Sequence, residues 1–188
     1  MAWKRVLREP TIIECSAALH LRPDNLFIMD KLLLRQQVLE RLADDLMRVE
    51  DAARVAHETA THEENIAENK YDTLGLEAAY LATGQARRAD AIRQAMAAWS
   101  QFRPLPYDAA KGIQLGALVC LADADGQHQH LFIGPNGGSM QLVCSALPVQ
   151  VISSDAPLAR AMLGKSEGDE VSIQVASDRR AFEVLWVQ

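Results

Sequence analysis

The sequence predicts an α+β protein in which an antiparallel coiled-coil hairpin of two long helices precedes a small β-sheet domain carrying one short helix. Apolar residues recur in alternating steps of three and four over residues 32–60 and again over 66–99, which is the pattern of a coiled-coil seam. Residues 104–106 read Pro-Leu-Pro, and proline cannot continue a helix. Beyond them, short strand-like runs alternate with turns.

Composition limits the classes of function. The 188 residues carry a formal net charge of −6, enough chain for a substantial core but the wrong charge for binding nucleic-acid phosphates, which depends on Lys and Arg. We therefore expect no direct sequence-specific DNA binding. Cys15, Cys120 and Cys144 lack metal-ligand spacing and indicate reduced thiols in a cytoplasmic protein. No run of about 18 apolar residues predicts a membrane span.

The hairpin is predicted over residues 29–103, with its first helix from about Asp30 to Ala60. The seam of that helix is predicted at Leu32, Leu39, Leu42, Leu46, Val49, Ala53, Ala56 and Ala60. The seam of the second helix is predicted at Ile66, Leu74, Ala78, Leu81, Ala89, Ile92, Met96 and Trp99, with a stutter at Gly84 and Gln85. Residues 1–28 share neither pattern and are expected to be either an ordered arm or a disordered N-terminal extension.

The link between the two helices contains no Gly or Pro over residues 57–72. Thr61 is followed three residues later by Glu64, which is the spacing of a capping box. We therefore expect one helix to end near Ala60, another to begin near His62, and the chain to turn at a tip within 57–65. This turn would gather acidic side chains at the exposed end of the hairpin: Glu58, Glu63, Glu64, Glu68 and Asp72. Carboxylates at a helix start also favour the helix dipole, so the cluster has a purely structural explanation as well.

A second domain is predicted over residues 107–188. Six strand-like runs are expected at 113–121, 128–133, 141–144, 149–152, 170–176 and 181–187. The last two are expected to be joined by the turn Ser177–Arg180. Residues 134–138 read Gly-Pro-Asn-Gly-Gly and predict a turn, because they lack the Lys-Ser/Thr of a phosphate-binding loop.

One short helix is predicted in this domain, at Ala156–Leu163. Ser154 or Asp155 is the expected cap, Pro157 suits the first turn, and Gly164 is the expected stop.

Two stretches resemble the bacterial Gre family of transcript-cleavage and elongation factors. The first is Ala60-Thr-His-Glu-Glu-Asn-Ile-Ala-Glu-Asn-Lys-Tyr-Asp72, and the second is Ser153-Ser-Asp-Ala-Pro-Leu-Ala-Arg-Ala-Met-Leu-Gly-Lys-Ser-Glu-Gly-Asp-Glu-Val171. The resemblance covers residues 30–188 and includes the order of the domains. It implies a monomer whose helical hairpin enters the secondary channel of bacterial RNA polymerase, while an FKBP-like C-terminal domain holds the channel rim.

The resemblance also implies roles for the tip. In cleavage-competent members an Asp and a Glu three residues later help hold the polymerase's second Mg²⁺. Here the family's Glu-Asn pair matches Glu64-Asn65 or Glu68-Asn69, and the position three before is Thr61 or Asn65, neither of them acidic. Modulation of elongation, pausing or initiation is therefore predicted rather than stimulated cleavage, unless Glu63 substitutes. The residues expected to face the polymerase active centre are Thr61, Glu63, Glu64, Asn65 and Glu68.

The resemblance further implies that the chain is not catalytic alone and needs no cofactor of its own, with Glu63 and Glu64 as the candidate ligands to polymerase Mg²⁺. The polymerase-docking candidates in the second stretch are Pro157, Leu158, Arg160 and Lys165. Two alternatives remain open. An FKBP-type peptidyl-prolyl isomerase or chaperone would need an aromatic pocket built from Tyr107, Phe132, Phe182 and Trp186. A coiled-coil interaction module would dimerise through the seam from Leu39 to Val49.

Overall fold

The computed structural model describes residues 29–61 and 74–188. Its elements are α1 (Lys31–Thr61), α2 (Leu74–Gln101), β1 (Leu118–Asp123), β2 (His128–Gly134), β3 (Met140–Cys144), β4 (Leu147–Ser153), α3 (Pro157–Met162), β5 (Glu170–Val175) and β6 (Asp178–Val187). The six strands form one mixed sheet of order β3-β4-β2-β1-β6-β5. Strands β2 and β4 pair in parallel, and the other neighbours pair antiparallel. The predicted fold class is confirmed.

Helices α1 and α2 run antiparallel. Near the base of the hairpin, Arg35 donates from Nε to the Trp99 carbonyl at 3.0 Å and from Nη2 to the Ser100 carbonyl at 2.6 Å. Further along α1, Glu50 forms an ion pair with Arg93, which comes earlier in α2. With 31 residues and a rise of about 1.5 Å per residue, α1 is about 45 Å long. The hairpin is therefore a rod that extends well beyond the sheet.

The seam on α1 follows the predicted positions from Leu39 onward, whereas the prediction at Leu32 is wrong. Leu42, Val49 and Ala56 are buried against α2 at intervals of one heptad. The intervening seam positions are partly buried: Leu39, Leu46, Ala53 and Ala60. Leu32 is 58% exposed and lies outside the seam. Because the seam changes from Leu to Ala along α1, its outer part presents less side-chain bulk to the partner helix.

The seam on α2 continues without interruption past Gly84, so the predicted stutter is wrong. Ala78 and Ala89 are buried, and the partly buried residues between them are Ala82 and Gln85, which preserve the steps of three and four. Leu81 is 56% exposed and was wrongly placed in the seam. The prediction chose Leu81 for its larger side chain, whereas the observed heptad register places the neighbouring Ala82 in the seam. The predicted seam residue Ile66 lies outside the described residues.

This register gives a direct stability prediction. Val49→Ala should lower the free energy of unfolding by about 1.5–2 kcal/mol, because it removes two buried methyl-sized groups. Leu81→Ala removes more carbon but should change stability by less than about 0.5 kcal/mol, because the side chain is exposed. Urea unfolding followed by circular dichroism would measure both. Equal losses from the two substitutions would contradict the register.

Both faces of the sheet are covered, each by a different element. On one face, α3 packs against residues at alternate strand positions, including Val119, Leu121, Leu131 and Ile133. On the other face, the base of the hairpin packs against a second set, including Leu118, Phe132, Val149 and Val151. The hairpin and the sheet therefore share one hydrophobic core, and this core fixes the direction in which the helices leave the domain.

The first strand begins later than predicted, at Leu118 rather than Ile113. Ile113 instead donates to the Lys165 carbonyl at 2.7 Å and accepts from the Gly164 amide at 2.8 Å. Gly116 then adopts a φ of +91°, a conformation that ends an extended run. The segment before β1 is thus bound to the turn that follows α3.

The last hairpin is tighter than predicted. Val175 pairs with Asp178, so the connection is the two-residue turn Ala176-Ser177, and the predicted turn Ser177–Arg180 is wrong. Ala176 has a φ of +55°, which two-residue hairpin turns require. The sequence did not indicate this turn, because neither of the two turn residues is Gly or Asn.

Candidate functional site

The outer end of α1 is a charged helical surface. Arg54 bridges two acidic residues, with Nη2 lying 2.6 Å from Asp51 Oδ1 and Nη1 lying 2.9 Å from Glu58 Oε1. The hydrogen bonds that Arg54 donates, first to Asp51 and then to Glu58, raise the pKa of its guanidinium. Glu58, one of the acidic residues predicted at the tip, is therefore paired along its own helix.

Thr61 stays a predicted cap of a second helix, because the other residues of the capping box lie outside the described ranges. It is the last residue of α1, and its hydroxyl donates to the His57 carbonyl at 2.9 Å. A threonine hydroxyl that donates one turn back is compatible with helical backbone. The described part of α1 reaches Thr61, so the predicted end of the first helix near Ala60 stays a prediction. The remaining tip candidates lie outside the described residues: His62, Glu63, Glu64, Asn65, Glu68 and Asp72.

A polar cluster joins the end of β4 to the glycine-rich loop. Ser153 donates from its hydroxyl to Asn136 Oδ1 at 2.6 Å, and Asn136 donates from Nδ2 to Asp155 Oδ2 at 2.7 Å. The Asp155 side chain is therefore engaged with the loop, and Ala156 occupies the cap position of α3 without any side-chain cap bond. The predicted caps Ser154 and Asp155 are wrong. The residue before a proline is confined to extended backbone, so Pro157 itself sets the boundary.

The polymerase-docking candidates lie on and just after α3. Pro157 and Arg160 are exposed, and within residues 29–61 and 74–188 Arg160 has a single ion-pair contact, a long one of 3.9 Å to Asp155. Leu158 is partly buried and packs on the core beneath α3. Gly164 ends the helix with a φ of +76°, as predicted.

The exposed Lys165 follows in a turn fixed by main-chain bonds. Its amide donates to the Met162 carbonyl at 2.9 Å, and its carbonyl accepts from the Ile113 amide at 2.7 Å. This surface therefore presents two cations and a leucine, Leu163, which is 43% exposed, on a rigid support. The sequence prediction did not include Leu163.

The loop 134–138, predicted only as a turn, packs closely against the base of α2. A Cβ atom added at Gly134 would lie 2.2 Å from two ring atoms of Trp99, and one added at Gly138 would lie 2.6 Å from Trp99 Nε1. At Gly137 the added Cβ would lie 2.5 Å from the Ala95 side chain. Each glycine is therefore needed for a close approach of backbone to helix. The sequence signal was the presence of three glycines in five residues, more than a simple turn requires.

Met29, two residues before α1, is hydrogen-bonded to the last residue, Gln188. Gln188 accepts from the Met29 amide and donates to the Met29 carbonyl, both at 3.1 Å, while its own backbone exchanges bonds with Leu118 at 2.8 and 2.9 Å. Nearby, Lys31 donates to the Leu105 carbonyl, and its burial lowers the pKa of its ammonium. These bonds orient the base of the hairpin. No sequence pattern indicated them.

The described residues lend no support to the alternatives. Phe132, one aromatic residue required for an isomerase pocket, is fully buried between the sheet and the hairpin. The seam from Leu39 to Val49 is occupied by α2 of the same chain. Within residues 29–61 and 74–188, no group of three His, Cys, Asp or Glu residues could hold a metal ion. No helix in these ranges combines the length and apolar character needed to cross a membrane.

These features define a class of protein: a long antiparallel helical hairpin whose base is clasped by a mixed sheet domain carrying one short helix. Residues 109–188 match the family model described as transcription elongation factor GreA/GreB, C-terminal. Over these residues, somewhat less than half of the chain, the protein is similar to the C-terminal domain of the GreA/GreB family.

Curated relatives agree with this assignment. The transcription elongation factor GreA of Halorhodospira halophila is 31% identical over 87 residues, which cover 45% of this chain and 51% of the relative. GreA of Xanthomonas campestris is 35% identical over 77 residues, covering 40% and 44%. The chain spans about half of the length of these relatives. The structural match to the GreA factor homolog 1 protein of Thermus thermophilus covers 80% of this chain and 94% of that protein, at 20% identity and a TM-score of 0.34.

Proposed function

We propose that this chain binds bacterial RNA polymerase with its hairpin in the secondary channel and modulates elongation, pausing or initiation. The observation that carries the proposal is a GreA/GreB-type domain holding the base of a hairpin whose first helix is about 45 Å long. The relatives' printed names describe transcription elongation factors. In this proposal the chain acts in the cytoplasm as a monomer, has no cofactor of its own and performs no catalysis alone.

The two ends of the molecule have separate roles in this proposal. The surface of α3 and the following turn supplies affinity, through Pro157, Leu158, Arg160 and Lys165. Arginine and lysine held on a fixed backbone suit this role, because no main-chain segment has to be ordered when they pair with an acidic partner surface.

The tip decides the effect on the polymerase. The residues proposed to face the active centre are Thr61, Glu63, Glu64, Asn65 and Glu68. A single Mg²⁺ binds one or two carboxylates and retains several waters, so Glu63 and Glu64 are the residues that would contact polymerase-bound metal. Because neither Thr61 nor Asn65 supplies the first carboxylate of the family pattern, stimulated cleavage is not expected.

The test separates binding from effect. The combined variant Glu63→Ala, Glu64→Ala and Glu68→Ala should bind purified polymerase within about twofold of the wild-type affinity but lose its effect on paused and backtracked complexes. Arg160→Ala together with Lys165→Ala should weaken binding by about tenfold or more. Fluorescence anisotropy would measure affinity, and gel analysis of transcripts would measure the effect.

Arg180→Ala is the matched control for the docking variant, because Arg180 is an exposed arginine of β6 and belongs neither to α3 nor to the turn that follows it. It should leave affinity unchanged. Polymerase binding that survives the docking substitutions, or an effect on transcription that survives the tip substitutions, would refute the assigned roles. Failure of the wild-type chain to bind polymerase at micromolar concentration would refute the proposed function itself.

A further inference from the structure

A cleft of about 490 Å³ lies where the hairpin leaves the sheet domain. Its apolar lining comes from both helices, with Leu42 on α1 and Ile92 on α2, and its opposite wall comes from the loop before β3 and the start of that strand. The volume falls within the usual range of about 300–1,000 Å³ for sites that bind small molecules. The cleft is separate from both the tip and the α3 surface.

Two arginines from opposite helices line this cleft, Arg41 on α1 and Arg88 on α2. Among the described residues Arg88 has no ion pair, and Arg41 Nε makes only a long contact of 3.8 Å with Asp45 Oδ1. That carboxylate also lines the cleft, and it is shared with Arg48 at 3.7 Å. The charged groups that line the cleft are therefore two guanidinium groups and one carboxylate, which makes the cleft locally positive on a chain whose net charge is −6.

The opposite wall offers neutral hydrogen-bond donors. Ser139 contributes a hydroxyl and Gln141 a side-chain amide, and both residues are exposed. Neither side chain is hydrogen-bonded to another residue in the described part of the chain. Gly137, with a φ of +85°, brings the backbone to the wall without a side chain that would obstruct it. The arginine side chains of the two helices and the neutral donors of the opposite wall therefore line the same cleft.

We propose that this cleft binds a small phosphorylated molecule. Arg41 and Arg88 would donate hydrogen bonds to its phosphate oxygens, and Ser139 and Gln141 would donate from the sheet side. Planar guanidinium groups match the geometry of phosphate oxygens and form charge-assisted hydrogen bonds to them. Such a ligand would bridge α1, α2 and the sheet domain. By linkage it would stabilise the folded chain and hold the hairpin to the domain, which gives the cell a means of regulating the hairpin.

The test uses the full chain without polymerase, so its outcome is independent of the proposed function. Inorganic phosphate, pyrophosphate and ATP would be titrated by calorimetry, and each binding probe should also raise the melting temperature. Arg88→Gln and Arg41→Gln should each weaken binding by about tenfold, as expected for the loss of a hydrogen bond to a charged group. Tighter binding of ATP than of pyrophosphate would identify a nucleotide as the source of the phosphate.

Arg87→Gln is the matched control, because it removes the same charge one position away on α2 and Arg87 does not line the cleft. It should change affinity by less than about twofold. Absence of binding by all three probes at millimolar concentration would overturn the proposal. Equal weakening by Arg87→Gln, equal binding of sulfate, or binding of a single-stranded oligonucleotide in place of the small probes would overturn it as well.

Discussion

Trp99→Ala is expected to lower the free energy of unfolding by about 3–5 kcal/mol, the range found when a large buried aromatic residue is truncated. Trp99 is fully buried, and its ring lies 5.6 Å from that of Phe102 and 6.1 Å from that of Phe132, centroid to centroid. It belongs to α2, yet it packs in a core shared with the sheet domain and lies against the loop 134–138. Its loss should therefore weaken the junction as well as the core.

Chemical denaturation followed by circular dichroism would measure this loss, because the helical signal reports the hairpin. Trp99→Phe is the matched control: it keeps an aromatic ring at the site and removes the indole NH, which has no acceptor among the described residues. The control should lose about 1–2 kcal/mol. A loss below about 1 kcal/mol for Trp99→Ala would mean that the indole is not the residue that joins the hairpin to the sheet.

Gly134→Ala should produce the second large effect, a loss of about 3 kcal/mol from overpacking. The new Cβ would lie 2.2 Å from two carbons of the Trp99 ring, and this ring is held on all sides by the core. The backbone of Gly134 is not in the left-handed region, so the cost comes from contact rather than from backbone strain. Thermal and chemical unfolding would both report it.

Gly84→Ala makes the same chemical change in the interior of α2, where an added Cβ meets nothing within 4 Å. It should stabilise the protein by about 0.5–1 kcal/mol, since alanine favours a helix over glycine. The two substitutions should thus differ in sign. If Gly134→Ala left the free energy of unfolding unchanged, the loop would not pack against α2 as closely as the geometry indicates.

The helical hairpin could be predicted because its seam repeats over many residues, so a few misplaced positions did not alter the result. The error at Leu81 shows the limit of that signal, because a larger side chain outside the seam outweighed Ala82 inside it. Register in a coiled coil is decided by the partner helix. A single helical pattern cannot supply that information when the seam is made of alanines.

The junction between the domains was largely hidden in the sequence. Residues 134–138 contain only turn-forming residues, and their role depends on Trp99, which is distant in the sequence and close only in space. The same holds for Gln188, whose bonds to Met29 join opposite ends of the described chain. Ser154 and Asp155 fitted a local capping rule, but Asn136 forms hydrogen bonds with Ser153 and Asp155 instead. Long-range contacts of this kind override local preferences.

The most direct test of the central proposal is to locate the outer end of the hairpin on the polymerase. An iron chelate attached at Thr61→Cys, with Cys15 replaced by serine and the buried Cys120 and Cys144 left in place, would cut nearby polymerase backbone when radicals are generated. Insertion into the secondary channel predicts cuts beside the polymerase active centre, lost when the Arg160→Ala and Lys165→Ala substitutions are added. Cuts confined to the outer surface of the polymerase, or unaffected by those substitutions, would contradict insertion.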